Sequence, residues 1–277
     1  MISVELDRQA SLTETLRALL RQNPGIALGV WWNVALLLGS MAALLFDHRL
    51  ILGINPWIKP IKFDISVIIF LVTVGFMLQG ISSRGKFERW RRSIVWMGWG
   101  FGLVMIVENS IIALQSARGV RSHMNFATVH DAILFAIMGL AIALNSALAS
   151  WLLVLWCVTR SVLPRVVVWG VRLGLVMLLV ASAEGVRIVA HGAHTVGAPD
   201  GLGGLPFLNW SRAHGDLRVA HFFALHCLQI FPLAGLLLAR TRYVQSTQLA
   251  ILFIFAGAYA AAVWWLFALA MRGMPFL

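Results

Sequence analysis

The sequence has few charged residues, few cysteines and no long polar insertion. Only 12% of its 277 residues are charged, whereas 60% are hydrophobic, and the mean hydropathy is +0.85. This composition excludes a soluble globular domain and is typical of a polytopic membrane protein. The two cysteines, Cys157 and Cys227, fall within apolar runs, so there is neither a disulfide framework nor a CxxC metal motif.

The sequence also lacks an internal repeat, so an inverted-repeat transporter architecture has no support. The formal net charge of +11 does not indicate nucleic-acid binding, because the basic residues mostly flank apolar runs. In that position they set orientation and meet anionic headgroups, so the partner we expect is the lipid bilayer. The last apolar run, 248–271, contains no lysine, which excludes a retinal Schiff base at the usual last-helix position.

Seven apolar runs are long enough to cross a bilayer as helices. A short amphipathic helix at 11–22, with Ser11 and Glu14 as a capping box, is expected to lie on the membrane ahead of them and to end at Pro24. The predicted fold class is all-α, with an interfacial segment at 1–25 and a single seven-helix membrane domain at 26–277. The spans are predicted near 27–46, 63–81, 94–114, 126–157, 166–191, 218–239 and 248–271.

Lysine and arginine are concentrated on one side of the predicted spans. The 82–93 loop carries five of them, and others lie near the N-terminus and in the remaining even-numbered connections. This side is therefore predicted to be cytoplasmic, with the N-terminus inside and the C-terminus extracytoplasmic. The opposite side has the loops 47–62, 115–125 and 192–217. The basic residues on the predicted cytoplasmic side are Arg8, Arg17, Arg21, Arg84, Lys86, Arg89, Arg91, Arg92, Arg160, Arg165, Arg240 and Arg242.

Ionisable and amide side chains interrupt the apolar runs toward the extracytoplasmic side. Because an ionised group is costly in hydrocarbon, each is a candidate functional residue by default. The clearest pattern is Glu184, Arg187, His191 and His194, whose i, i+3, i+7, i+10 spacing predicts one stripe on a helix. The full set is Asp64, Glu108, Asn109, His130, Asp131, Glu184, Arg187, His191, His194, Arg218, His221, His226 and Gln229.

The histidines also have a structural explanation. His191 and His194 would lie in water if their helix ended before them. His221 and His226 are about 140° apart on a helix, so one of them can be a packing residue. His123 lies two turns before His130 if the fourth span begins early enough.

The segment 55–62 contains two prolines, so we expect it to be irregular and stiff. Lys59 or Lys62 in this segment either pairs with Asp64 or Glu108, or extends to the lipid headgroups.

Imidazole and carboxylate groups on facing helices are what a bundle uses to hold a transition metal (Zn, Fe or Cu) or a haem. The absence of HExxH and HxxxH pairs excludes zincin and desaturase-type histidine boxes. The favoured prediction is a metal- or b-type haem-dependent membrane enzyme with a lipid-like or quinone-like substrate. The predicted metal ligands are His130, His191, His194, His221 and His226, the catalytic carboxylates Glu184, Glu108 and Asp131, and the cofactor- or anion-binding residues Arg187 and Arg218.

The alternative is a transporter or proton-coupled carrier that uses the same residues as a proton relay or an anion site. Both alternatives remain open at the level of sequence.

Three segments resemble a group of bacterial multi-pass membrane proteins with no established activity. They are 55–63 (NPWIKPIKF), 117–125 (ARGVRSHMN) and 215–223 (GDLRVAHFF). The resemblance implies a bacterial inner-membrane protein and implies nothing about mechanism. Seven spans with several histidines and acids are also architecturally similar to the zinc-dependent hydrolases of the alkaline ceramidase and adiponectin receptor type, although the HxxxH pair of their last helix is missing here.

Overall fold

The computed structural model describes residues 12–82, 87–159 and 161–277. Within these ranges there are eight helices, and the seven from α2 to α8 are long and apolar enough to cross a membrane. The chain is therefore an all-α, multi-pass membrane protein, as its hydropathy predicts. The helices are α1 (Leu12–Gln22), α2 (Pro24–Phe46), α3 (Ile58–Ser82), α4 (Phe87–Arg118), α5 (Val129–Val158), α6 (Arg165–His191), α7 (Leu217–Ala239) and α8 (Gln245–Met271).

The first helix is amphipathic, as predicted. Leu19 is fully buried in the main hydrophobic core, whereas Arg17 and Arg21 on the same helix are exposed. Pro24 does not only end this helix: it is also the first residue of α2, where its missing N–H has no intrahelical acceptor in any case. The predicted N-cap Ser11 lies outside the described residues, as do Arg8, Arg84, Lys86 and Arg160 of the predicted basic side.

Among the helix starts that differ from the sequence prediction, two matter for the site. Helix α3 begins at Ile58, so Pro60 lies in its first turn and the second half of segment 55–62 is helical rather than irregular. Helix α5 begins only at Val129, because the Thr128 side chain caps it by accepting a hydrogen bond from the backbone of Asp131. The connection before α5 is therefore 119–128, shifted along the chain from the predicted loop 115–125, and it contains His123.

The segments 47–57, 119–128, 192–216 and 272–277 meet at one end of the bundle, which we call the loop end. Arg49 Nη2 donates to the carbonyl of Ala117 at 3.0 Å. Asn209 Nδ2 donates to the carbonyl of Leu52 at 3.2 Å, and so joins the first and third of these segments. Within 192–216, strands β1 (Thr195–Val196) and β2 (Gly215–Asp216) form a short antiparallel pair.

Glycines allow the closest helix contacts in the bundle. A Cβ atom added to Gly102 of α4 would lie 2.0 Å from the carbonyl oxygen of Gly25 in α2. A Cβ added to Gly170 of α6 would lie 2.4 Å from the carbonyl oxygen of Phe231 in α7. Small residues at such crossings let helices pack in lipid, where hydrophobic association does not drive them together.

Replacing Gly102 by alanine should therefore lower the stability of the bundle. The added methyl group must displace backbone atoms, and overpacking of this kind costs about 1–3 kcal/mol. The measurement is the thermal unfolding midpoint of the purified protein in detergent. Gly139→Ala on α5 is the matched control, because the described part of the chain leaves its Cβ position open. Equal midpoints for the two variants would contradict the close α2–α4 contact.

Candidate functional site

Ionisable side chains from four parts of the chain converge beneath the loop end. They come from the first turn of α3, from α4, from segment 119–128 and from the region spanning residue 194 to the start of α7. Lys59 is attracted by Glu108 and repelled by Arg218, and the charged form of His123 is repelled by His194 and His221. We call Lys59, Glu108, His123, His194, Arg218 and His221 the loop-end cluster.

A chain of polar contacts runs through the centre of this cluster. Lys59 Nζ lies 3.1 Å from Nδ1 of His123, and Nε2 of His123 lies 3.5 Å from Oε1 of Glu108. Because a lysine ammonium can only donate hydrogen bonds, Nδ1 of the imidazole is the acceptor. The proton of a neutral His123 ring then lies on Nε2, facing the carboxylate. The geometry therefore orders the three groups as ammonium, imidazole and carboxylate.

His123 is held between aromatic rings. The Phe63 and Phe135 ring centroids lie 5.9 Å and 6.1 Å from that of the imidazole. Burial lowers the pKa of His123 well below its ordinary value, and the positive charge of Lys59 lowers it further. His123 is therefore neutral near pH 7 in this environment, in agreement with the single ring proton assigned above.

Glu108 is the buried end of the polar chain. Its side chain is only 4% exposed, and its Oε2 atom has no hydrogen-bond partner within the described ranges. An unpartnered carboxylate oxygen at this depth is costly unless the group takes up a proton or contacts a bound molecule. Glu108 is therefore the group of the cluster that has an oxygen available to bind a proton or a ligand.

Two lysines on the first turns of α3 lack a carboxylate in direct contact. Lys59 contacts His123, and Lys62 Nζ donates to the carbonyl of Leu208 at 3.1 Å. Both side chains are partly buried, and among the described residues neither forms an ion pair. The nearest compensation for Lys59 is the longer-range attraction of Glu108. The cluster therefore presents positive charge that a small anion would neutralise.

His194 is fixed in the loop by an aspartate. Its Nδ1 lies 2.8 Å from Oδ2 of Asp200, and the backbone N–H groups of His194 and Thr195 also donate to this carboxylate. Burial opposes ionisation of Asp200, but these hydrogen bonds outweigh it and hold the pKa of the carboxyl well below its usual range. Burial lowers the pKa of His194, which favours a neutral ring that donates from Nδ1. Arg121, at 3.4 Å, completes the pair and joins two loops.

Arg218, a predicted cofactor- or anion-binding residue, is occupied by Asp216. Its Nε and Nη2 atoms donate to the two carboxylate oxygens at 2.9 Å and 2.6 Å. Nη2 also donates to the carbonyl of Asn209 at 2.5 Å. The carboxylate that pairs with Arg218 is therefore that of Asp216. Arg218 thus contributes a local ion pair and positive potential to the cluster.

The predicted stripe on α6 is divided by the end of the helix. The helix stops at His191, and Gly192 follows it in the left-handed conformation with a φ of 77°. Glu184 is buried, and its Oε2 has no partner among the described residues, but Arg187 and His191 are exposed. His194 lies beyond the helix, so the continuous four-residue helical stripe is wrong.

Two predicted residues at the start of α5 lie outside the cluster. His130 is exposed, and Asp131 anchors the helix start. Gln115 Nε2 and Arg118 Nη1 donate to Oδ1 of Asp131 at 2.9 Å and 2.5 Å. Thr128 Oγ1 donates to Oδ2 at 2.7 Å. Both carboxylate oxygens are therefore occupied by contacts that anchor the start of α5, and the catalytic role of Asp131 stays a prediction.

The two histidines of α7 have different surroundings. His221 Nδ1 lies 2.9 Å from the carbonyl of Ala181, which it reaches as a donor, and its ring belongs to the loop-end cluster. His226 Nδ1 contacts the carbonyl of Phe222 in its own helix at 2.8 Å, and its ring lies 4.1 Å from the Phe222 ring. This arrangement matches the sequence-level alternative of one cluster histidine and one packing histidine.

The donor geometry does not support the predicted metal centre. Across residues 12–82, 87–159 and 161–277, no three His, Cys, Asp or Glu side chains are grouped so that they could hold a metal ion. The predicted ligands His130, His191 and His226 lie outside the loop-end cluster, whereas His194 and His221 belong to it. The metal and haem assignments stay predictions.

No known protein family, curated protein or solved structure matches the chain. The resemblances noted from short segments and from architecture therefore remain expectations, and the site is interpreted from its own geometry.

Replacing Asp200 by asparagine should destabilise segment 192–216 by an amount that depends on pH. The pKa of Asp200 is depressed in the folded protein, so its stabilisation is present above the unfolded pKa of about 4 and is lost as pH falls through the folded pKa. The unfolding midpoint of Asp200→Asn should be lower than wild type at pH 7, by the equivalent of about 1–3 kcal/mol. The difference should shrink in acid. A difference that is absent at pH 7, or that grows in acid, would contradict the assignment.

Proposed function

We propose that this protein is a proton-coupled carrier of a small anion, located in the bacterial inner membrane. The observation that carries the proposal is the ordered contact of the partly buried Lys59 and His123 with the buried Glu108, at the loop end. A neutral imidazole between an ammonium and an open carboxylate can pass a proton to and from that carboxylate. The two lysines without direct carboxylate partners supply the site for the anion.

The loop end is proposed to face the extracytoplasmic side. Exposed arginines lie at the other end, on α1 and at the starts of α4 and α6. The positive-inside rule then gives a cytoplasmic N-terminus and an extracytoplasmic C-terminus. Most of the arginines at the loop end are balanced locally: Arg49, Arg118, Arg121 and Arg218 each pair with an aspartate, whereas Arg212 and Arg272 are exposed and form no ion pair with a described residue.

Coupling follows from the short separation between the charges. Protonation of Glu108 would remove the negative charge that compensates Lys59, so the lysine would attract an anion more strongly. Release of the anion would leave Lys59 uncompensated, so Glu108 would bind its proton less tightly and would release it. This reciprocity is what thermodynamic linkage between two binding sites requires.

Proton uptake by reconstituted vesicles tests this proposal. An imposed pH gradient, with chloride, phosphate or succinate outside and a pH-sensitive dye inside, should show uptake dependent on the protein and on one of these anions. His123→Gln and Glu108→Gln should each reduce the initial rate at least about tenfold, because about 1.4 kcal/mol of lost interaction already corresponds to a factor of ten.

His48→Gln is the matched control for that experiment, because His48 lies at the same end but is exposed and outside the cluster. Its rate should equal that of wild type. Anion-independent leakage identical in all variants and in empty vesicles would overturn the carrier proposal.

The metal- or haem-dependent enzyme acting on a lipid-like or quinone-like substrate is a separate prediction with its own test. Elemental analysis and an optical spectrum of the purified protein distinguish the two classes. The carrier proposal predicts metal content well below one ion per chain and no Soret band. Stoichiometric zinc, or a Soret band that disappears in His221→Ala, would restore the enzyme in its hydrolase or haem form.

A further inference from the structure

A second buried polar site lies in the membrane spans, separate from the loop-end cluster. It joins Asn33 of α2, Asp64 of α3 and Asn109 of α4, each no more than 1% exposed. Asn109 Nδ2 donates to Oδ1 of Asn33 at 2.5 Å and to Oδ1 of Asp64 at 2.9 Å. Asn33 in turn donates to the carbonyl of Gly29 at 2.7 Å. Three helices are therefore linked through one amide.

Two atoms of this site are left without partners. They are Oδ2 of Asp64 and Oδ1 of Asn109, both buried and without a hydrogen bond to any described residue. With Asp64 ionised, both atoms are acceptors, so neither can satisfy the other. A buried carboxylate without a cation is also among the most costly groups in a membrane span.

The surrounding helices do not compensate the charge. Helices α1, α2, α4, α5 and α7 all pack against α3. Among the described residues on these helices, no charged side chain interacts electrostatically with Asp64, whose one polar contact is Asn109. Lys62 lies two residues before Asp64, but it donates to the carbonyl of Leu208. Glu108 lies next to Asn109 on α4, but it contacts His123.

We propose that Asp64 is a proton-binding site, held in its carboxylic-acid form by Asn109. A single proton on Oδ2 removes the uncompensated charge and creates a donor beside an amide whose Oδ1 lacks one. A carboxylic acid and one edge of a primary amide are complementary in this way, since each presents one donor and one acceptor; the second amide N–H of Asn109 goes to Asn33. The site does not depend on the carrier proposal, because it involves a different carboxyl group.

Infrared spectroscopy tests this assignment without relying on transport. Wild-type protein in lipid at pH 7 should show the carbonyl stretch of a protonated carboxyl group, and Asp64→Asn should lose that band. Asp131→Asn is the matched control, because Asp131 is also buried but pairs with Arg118. It should lose intensity in the carboxylate region only.

An aspartate-specific ¹³C label in the wild-type protein covers the case in which Asp64→Asn does not fold. The other described aspartates, Asp47, Asp131, Asp200 and Asp216, all pair with arginine. One isotope-shifted protonated carboxyl band is therefore expected, with the same intensity in sodium chloride and in choline chloride. Absence of a shifted band would overturn the proposal. A band that sodium converts to carboxylate would also overturn it, in favour of a sodium site.

Discussion

Hydrocarbon cannot solvate an ionised side chain, and this constraint governs where the polar groups of the bundle lie. At the loop end the aspartates meet arginines within a few residues or across a loop, as in Asp216 with Arg218 and Asp200 with Arg121. These pairs fix the connections over the helix ends. Deeper in the spans, the carboxyl groups of Asp64, Glu108 and Glu184 form no ion pair with an arginine, and each keeps an oxygen without a partner among the described residues. The carboxyl groups that could bind a proton or a ligand therefore lie deeper in the spans than the aspartate–arginine pairs.

The loops do more than close the bundle, because they supply part of the site. Segment 119–128 brings His123 between Lys59 and Glu108, and segment 192–216 brings His194 and the carbonyl that receives Lys62. Neither helix α3 nor helix α4 has a histidine of its own at this depth. Since a charged lysine only donates, it determines which nitrogen of His123 carries the proton, and that proton faces Glu108. The fold thus fixes the order of ammonium, imidazole and carboxylate, with the ring proton of His123 facing Glu108.

The seven spans could be predicted from sequence because hydropathy alone specifies a membrane helix. The candidate site could be predicted only in part. Glu108 and His221 are recognisable as polar groups within apolar runs. His123 lies in a connection, outside every predicted span, so a search for polar groups within apolar runs does not select it. The i+10 spacing predicts His194 on the α6 stripe, but Gly192 ends the helix before it.

Which side chains of a span are buried depends on the rotation of the helix about its axis, and this is the other part of the site that the sequence does not predict. Hydropathy does not predict that Glu184 is buried whereas Arg187, one turn later on α6, is exposed, since both follow the same apolar run. Packing decides this, through close contacts such as Gly170 against Phe231. The most direct test of the account is ¹⁵N NMR of the histidine rings in lipid at pH 7, with His123 assigned by its loss in His123→Gln. We predict a neutral ring protonated at Nε2 and coupled to Lys59; a charged ring, or one protonated at Nδ1, would contradict the central claim.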